Sequence, residues 1–399
     1  MILRMLVPAL FLLTALLQGC AGPQRLSAVP AELQGRAVVP GVPGVRYRAD
    51  FDTDQLEAEG EEVNRRELAW RASQGLTGPP PATYFLAISG GGDNGAFGAG
   101  LLNGWTKAGT RPEFGLVTGV STGAIIAPFA FLGSAYDSRI EKFYTEIEPK
   151  DILLKKPFYS FLTSDALTDN SPLWRRVAEE INRELLDAIA AEYEKGRLLF
   201  IGTADLDARQ GYIWNMTKIA ANPDPRALEL FRAIIVASAA IPGAFSPVMI
   251  DVEVDGEKYQ EMHVDGGTMA QVFIYPSDID LKELERKAGV QDRARVLYII
   301  RNSRLDPDWA SVDRRVMDIA GRSITSLIHN QGLGDLYRIY LTAKKDRVDY
   351  NLAFIPPTFK EPHRELFDTE YMRALFKTGY DMAVKGYPWA KHPPGFGER

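Results

Sequence analysis

The sequence predicts an α/β protein, a doubly wound sandwich with a mostly parallel central sheet covered by helices. Three observations predict it. Short apolar runs of strand character alternate with longer helical stretches along most of the chain, the pattern of a sheet buried on both faces. Two glycine-rich turns, "SGGGDNG" at 89–95 and "GVSTG" at 119–123, each fall where a strand gives way to a helix. The chain is also 399 residues long with 46% hydrophobic residues, enough for one large core.

The elements follow in order. Residues 21–50 repeat Pro and Gly with few bulky apolar side chains, which reads as a tether. Residues 54–73 carry Leu56, Val63, Leu68 and Trp70 among many charges, a weak helix that "TGPPP" at 77–81 ends. The main domain is therefore expected over 82–399. "TYFLAIS" is a short buried strand, Ala96 to Ala108 a helix of small residues, "FGLVTGV" a second strand and Thr122 to Leu132 an apolar helix. An amphipathic helix over Pro172 to Lys195 precedes the strand "RLLFIGTADL" and its hairpin partner "GYIWNM". A helix from Pro225 to Ser238, strands at "YQEMHVD" and "RVLYIIR", a long helix from Val312 to Lys344 and the strand "VDYNLAFI" complete the pattern.

The amino terminus has its own logic. Arg4, an apolar run from Leu6 to Leu17 and then Leu17-Gln18-Gly19-Cys20 read as an export signal over 1–19, too short to span a bilayer. Cys20 is the only cysteine, so it has no internal disulfide partner. The segment resembles the lipobox of bacterial lipoproteins, which implies acylation of Cys20 and anchoring to the cell envelope. Ala21, in place of the aspartate resembling an inner-membrane retention signal, favours the outer membrane. A formal net charge of −6 and the absence of any basic block argue against nucleic acid as a partner.

The first glycine turn satisfies G-x-G-x-x-G through Gly90, Gly92 and Gly95, the spacing that cradles a dinucleotide pyrophosphate. That reading requires an acidic residue closing the next strand, about 20 residues on. Here the next strand closes instead on Gly119-Val120-Ser121-Thr122-Gly123. A serine on a sharp strand-to-helix turn has its hydroxyl pushed clear of the sheet, and the flanking glycines avoid a Cβ clash. One turn thus offers converging N–H groups and the other a candidate nucleophile, Ser121, at the same carboxyl edge. Ser121 needs a base within reach. Of the four histidines, His329, His363 and His392 lie away from any strand end or glycine turn, and His263 is read as structural. Asp265, closing a strand before Gly266 and Gly267, is the better candidate.

With these motifs in order, the chain resembles the patatin-like phospholipases. The family is known by G-G-G-x-R-G, G-x-S-x-G, A-S-x-A-x-P-x-x-F and D-G-G or D-G-A. Here stand Gly90-Gly91-Gly92-Asp93-Asn94-Gly95, Gly119 to Gly123, Ala237-Ser238-Ala239-Ala240-Ile241-Pro242-Gly243-Ala244-Phe245, and Asp265-Gly266-Gly267. "TADLDARQG" at 203–211 is similar to a further family segment, so the motif core spans 84–275. The resemblance implies hydrolysis of lipid acyl esters by a Ser–Asp dyad, with Ser121 as nucleophile and Asp265 as general base. It also implies an oxyanion hole from the N–H groups of Gly91, Gly92 and Asp93, and membrane lipid as substrate. No cofactor or metal is expected. The family's loop arginine is replaced by Asn94, which removes a positive charge, and the Asp93 side chain must face away from an oxyanion.

The blander readings are that Ser238 and Pro242 are packing residues of a helix-end turn, His263 is structural, and Trp105, Trp174 and Trp214 belong to the core. Two alternatives remain for the whole chain: a Ser-His-Asp esterase completed by His329 or His363, and a catalytically weakened lipoprotein that binds lipid or scaffolds envelope partners.

Overall fold

The computed structural model describes residues 23–157, 164–290 and 293–396; the expected signal segment and Cys20 lie outside them. In chain order the described elements are β1 (Arg46–Arg48), α1 (Thr53–Ser73), β2 (Thr83–Ile88), α2 (Gly95–Lys107), β3 (Leu116–Gly119), α3 (Thr122–Leu132) and α4 (Asp137–Thr145). A small hairpin, β4 (Leu154–Lys155) with β5 (Thr168–Asp169), leads to α5 (Ser171–Glu180), α6 (Arg183–Glu194), β6 (Leu198–Asp205) and β7 (Gln210–Asn215). Then come α7 (Met216–Ala220), α8 (Arg226–Ser238), β8 (Val248–Val254), β9 (Glu257–Asp265), α9 (Leu281–Lys287), β10 (Arg295–Arg301), α10 (Val316–Asp346), β11 (Asp349–Phe354) and α11 (Thr369–Val384).

The main sheet runs β1-β7-β6-β3-β2-β10-β11, with β9 joining β6 and β8 joining β9. The five strands β6, β3, β2, β10 and β11 are mutually parallel. The strands read from the sequence as continuous apolar runs are buried on both faces. Leu86 and Ile88 point into one core with α2, α3 and α8, while Ala87 points into a second core with α10.

Three local features differ from the sequence reading. The expected helix over Pro172 to Lys195 is two helices, broken where the Asn182 side chain accepts the Leu185 N–H at 3.0 Å and caps α6. The Pro/Gly stretch read as a tether packs onto the domain from Pro23 onward. Val29, Val39, Val42 and Val45 are buried in the core, and β1 pairs antiparallel with β7. Those valines repay the ordering of the chain that Pro and Gly alone do not. Finally, α11 lies against α2 in a groove of small residues. A Cβ on Gly100 or Gly104 would sit 1.9 Å from the Phe376 carbonyl oxygen or 2.3 Å from that of Tyr380. Part of the glycine run therefore serves helix packing.

Candidate active site

The elbow begins where β3 ends. Ile88 is in register with Gly119, so the two glycine turns leave adjacent strands at the same level. Ser121 has φ 56° and ψ −124°, a left-handed backbone that costs a side-chain-bearing residue on the order of 1–3 kcal/mol. The surroundings enforce it. A Cβ on Gly119 would meet the Gly123 carbonyl oxygen at 2.5 Å, and one on Gly123 would meet that of Ile88 at 2.2 Å. The Ser121 N–H donates to the Ser238 hydroxyl at 3.0 Å, and that hydroxyl donates to the Gly202 carbonyl at 2.7 Å. Ser238 thus ties the elbow to β6; its sequence reading as a packing residue leaves out this bracing role.

The same strand β6 brings Asp265 to Ser121. Its first half pairs with β3 up to Gly119↔Ile201; two residues on, β9 takes over that edge in the antiparallel sense, with Thr203↔Asp265. One strand therefore fixes both the elbow and the carboxylate. Gly266 must be glycine because a Cβ there would lie 2.4 Å from the Gly202 carbonyl oxygen. Asp265 is buried, and burial pushes its carboxyl up from 3.8 to about 6. The Gly267 N–H donates to it at 2.7 Å, and this contact together with the nearby Ser121 hydroxyl limits the rise.

The glycine loop completes the edge. Gly92 has φ +59°, and a Cβ on Gly91 would lie 2.2 Å from the Asn302 carbonyl oxygen. Asn302 follows β10 and braces the loop: its N–H donates to the Ser89 hydroxyl at 2.8 Å, and its side-chain oxygen accepts from Gly98 N–H at 3.0 Å. Gly90 N–H donates to the Gln271 carbonyl at 3.0 Å. Among the described residues the N–H groups of Gly91, Gly92 and Asp93 meet no protein acceptor. They sit at the amino end of α2, as Ser121 does at that of α3, and both helix ends favour negative charge. Gly92 and Ser121 share an apolar cavity of about 20 Å³ with Ile125, Phe143, Ile241, Phe245 and Phe367. That is room for about one water, so an acyl chain enters only when the surrounding loops give way. A far larger cavity, about 610 Å³, lies beneath α1 at the opposite, amino edge of the sheet and touches neither Ser121 nor Asp265.

The loop's polar side chains point away from Ser121, into the carboxy-terminal segment. The Asp93 carboxylate accepts from His363 Nε2 at 2.6 Å and from the Phe367 N–H at 2.8 Å. That hydrogen bond to Asp93 raises the His363 pKa above its ordinary 6.5. The Asn94 side chain accepts the Tyr371 hydroxyl at 2.6 Å, and the Tyr371 ring stands 4.6 Å from that of His363. None of these partners was singled out from sequence as a brace of the loop.

The remaining candidates fall elsewhere. His263 is buried between Thr203 and Glu261, and Trp214 donates to Thr203 at 2.7 Å. Trp105 packs among Phe114, Tyr298 and Trp389, and Trp174 packs against the core. Pro242 lies in the turn after α8. Among the described residues no histidine hydrogen-bonds to Ser121 or Asp265; His329 lies on α10 and His392 near the chain end.

Sheet and elbow define the class: a mixed α/β protein that presents a serine at the carboxyl edge of a mostly parallel sheet. Residues 86–276 match the model of the patatin-like phospholipase family. No curated protein matches the sequence. Among solved structures the chain is similar to VipD from Legionella pneumophila, at 12% identity and a TM-score of 0.35 over 77% of this chain and 66% of that one. It is similar to the ExoU–SpcU complex of the Pseudomonas aeruginosa type III secretion system, at 15% identity and 0.30 over 77% and 51%. A third is human GIVD cytosolic phospholipase A2, at 8% and 0.31 over 78% and 55%. The chain thus spans between 51% and 66% of the lengths of these structures.

Proposed function

We infer that this chain hydrolyses acyl esters of membrane lipids through an acyl-enzyme on Ser121. The observation that carries the reading is a strained serine elbow with a buried carboxylate beside it, both positioned by β6, the carboxylate having its pKa raised to about 6. A carboxylate of that pKa is charged at pH 7 and is a stronger base than an exposed aspartate. Asp265 takes the Ser121 proton as the oxygen attacks the acyl carbonyl; the C–O bond to the leaving alcohol then breaks and Asp265 returns the proton to it. Water repeats the sequence on the acyl-enzyme, with Asp265 again as base. The N–H groups of Gly91, Gly92 and Asp93 receive the oxyanion, and each such donor is worth about 2.7–4 kcal/mol in comparable sites. The lipobox-like start adds an envelope lipoprotein held by acylated Cys20, at the outer membrane, and the hydrolase domain over 82–399 is completed by the residues from Pro23 onward that pack into its core.

Ser121→Ala is expected to abolish both ester hydrolysis and covalent labelling by a fluorophosphonate, with the fold unchanged by circular dichroism. If wild type neither labels nor cleaves any ester in a chain-length series, the hydrolase reading fails and a lipid-binding protein takes its place. If Asp265→Asn labels with the fluorophosphonate at the parent rate, Asp265 is not the base and the dyad is wrong.

A further inference from the structure

Helix α10 is longer than the sheet it crosses. It returns from the carboxyl end of β10 to the amino end of β11. Its 31 residues span about 46 Å at 1.5 Å each, whereas the 7 residues of β10 span about 23 Å. The buried side chains of α10 all lie between Gly332 and Asp346, so that half alone covers the sheet. The first half overshoots the carboxyl edge, the edge that carries Ser121. The overshoot starts beside the site: Asp335 accepts the Gln271 N–H at 2.7 Å, and the Gln271 side chain donates to the Gly267 carbonyl at 2.7 Å.

Among the described residues none from 307 to 331 is buried. The overshoot is nevertheless apolar on one side. Val316, Met317, Ile324, Leu327 and Ile328 fall within about a third of the helix circumference; Val316 is 82% exposed and Leu327 70%. Trp309, in the segment leading to the helix, is 90% exposed. Asp318, Arg322 and His329 occupy the opposite side. No described helix is long and apolar enough to cross a membrane, so a helix of this kind lies in an interface.

The start of the described chain points to the occupant. Residues 1–22, with the apolar run and Cys20, join at Pro23, and Arg25 is pinned to Asp207 by two hydrogen bonds of 2.7 and 2.8 Å. Asp207 lies just past the carboxyl end of β6. The leader therefore joins the domain at the same edge from which α10 projects. We propose that residues 309–328 dock on a lipid bilayer, seating the carboxyl edge and the Ser121 cavity against the membrane. Residues 309–328 carry Asp313 and Asp318 against Arg314, Arg315 and Arg322, a net charge of only +1, so burial of the apolar face drives the docking and anionic lipid is not required. The inference rests on the proposed lipid hydrolysis for its purpose but not for its test.

The test uses the chain from residue 20 onward with Cys20→Ser, so that neither the apolar leader nor an acyl chain contributes, and phosphatidylcholine vesicles. Flotation with vesicles is expected in low and high salt alike, with a blue shift in tryptophan emission that Trp309→Phe diminishes. Ile324→Asp with Leu327→Asp is expected to weaken flotation by tenfold or more, roughly, since each side chain forfeits its burial. Thermal unfolding and cleavage of a soluble short-chain ester stay at parent levels. Flotation of the double variant equal to the parent overturns the proposal. So does a parent dimer that the two substitutions convert to monomer without changing flotation, because the face then joins two copies. If the parent floats and the double variant does not, while neither cleaves any ester, docking stands and the hydrolase reading fails.

Discussion

Asp265→Asn tests the candidate base through stability as well as rate. The parent carboxyl is buried, and its pKa stands at about 6 against an ordinary 3.8. The difference corresponds to about 3 kcal/mol of stability. The sign follows from the direction. A carboxyl whose folded pKa is raised costs nothing below its unfolded value, where it is protonated in both states. Its cost grows between about pH 4 and pH 6 and is complete above pH 6. Asparagine carries no charge, keeps an oxygen for the Gly267 N–H at 2.7 Å, and presents its amide to the Ser121 hydroxyl as an acceptor. Asp265→Asn is therefore expected to be more stable than the parent at pH 8, by up to about 3 kcal/mol, and equal to it near pH 4. Urea unfolding at the two pH values measures this. In parallel, kcat/KM of the parent should rise with pH through a midpoint near 6, while the variant stays inactive throughout. A variant less stable than the parent at pH 8, or a difference that does not change with pH, refutes the picture of a desolvated carboxylate held beside Ser121.

Two further substitutions probe the braces. His363 faces Asp93, Asp368 and the Tyr371 ring, and its raised pKa means that its charge is complete below about 6.5 and is lost as pH rises through the folded value. Loss of that charge should loosen the loop and lower kcat/KM on the alkaline side, and His363→Gln, which keeps a donor for Asp93 but no charge, should remove that pH dependence; an unchanged alkaline limb excludes His363 as its source. Ser238→Ala removes a hydroxyl that accepts from Ser121 and donates to Gly202. It should cost about 1–3 kcal/mol in urea unfolding and lower kcat about tenfold or more at nearly constant KM. A loss of stability with kcat intact would make Ser238 a packing residue only.

The parallel strands were legible because each is a short apolar run closed by a glycine turn or followed by a helix. The hairpin of β8 and β9 carried a readable signal that went unused: Asp255-Gly256 between two alternating runs, with φ of 52° and 86°. The ordered amino-terminal leg was not legible. Pro and Gly report local stiffness or freedom, and nothing local says that Val42 and Val45 will find a core. The two glycine turns and the carboxylate were read as candidates because their constraints are short-range, a positive φ or a missing Cβ within a few residues. Asp93 and His363 are 270 residues apart; neither has a neighbour in sequence that announces the other. For the same reason the glycine run was read for its turn and not for the groove that receives α11.

That separation has a structural consequence for where the domain ends. The family match stops at residue 276, but β2, which leads into the glycine loop, is paired on its far side with β10, from Arg295↔Thr83 to Ile300↔Ile88. A chain cut after 276 leaves β2 as an open edge, with a row of unpaired backbone groups and no Asn302 beneath Gly91. It also loses His363 and Tyr371, which hold Asp93 and Asn94. Both of these braces, His363 on Asp93 and Tyr371 on Asn94, come from the carboxy-terminal segment. The part of the sequence beyond the family match is therefore the part that pairs with β2 and braces the candidate oxyanion loop.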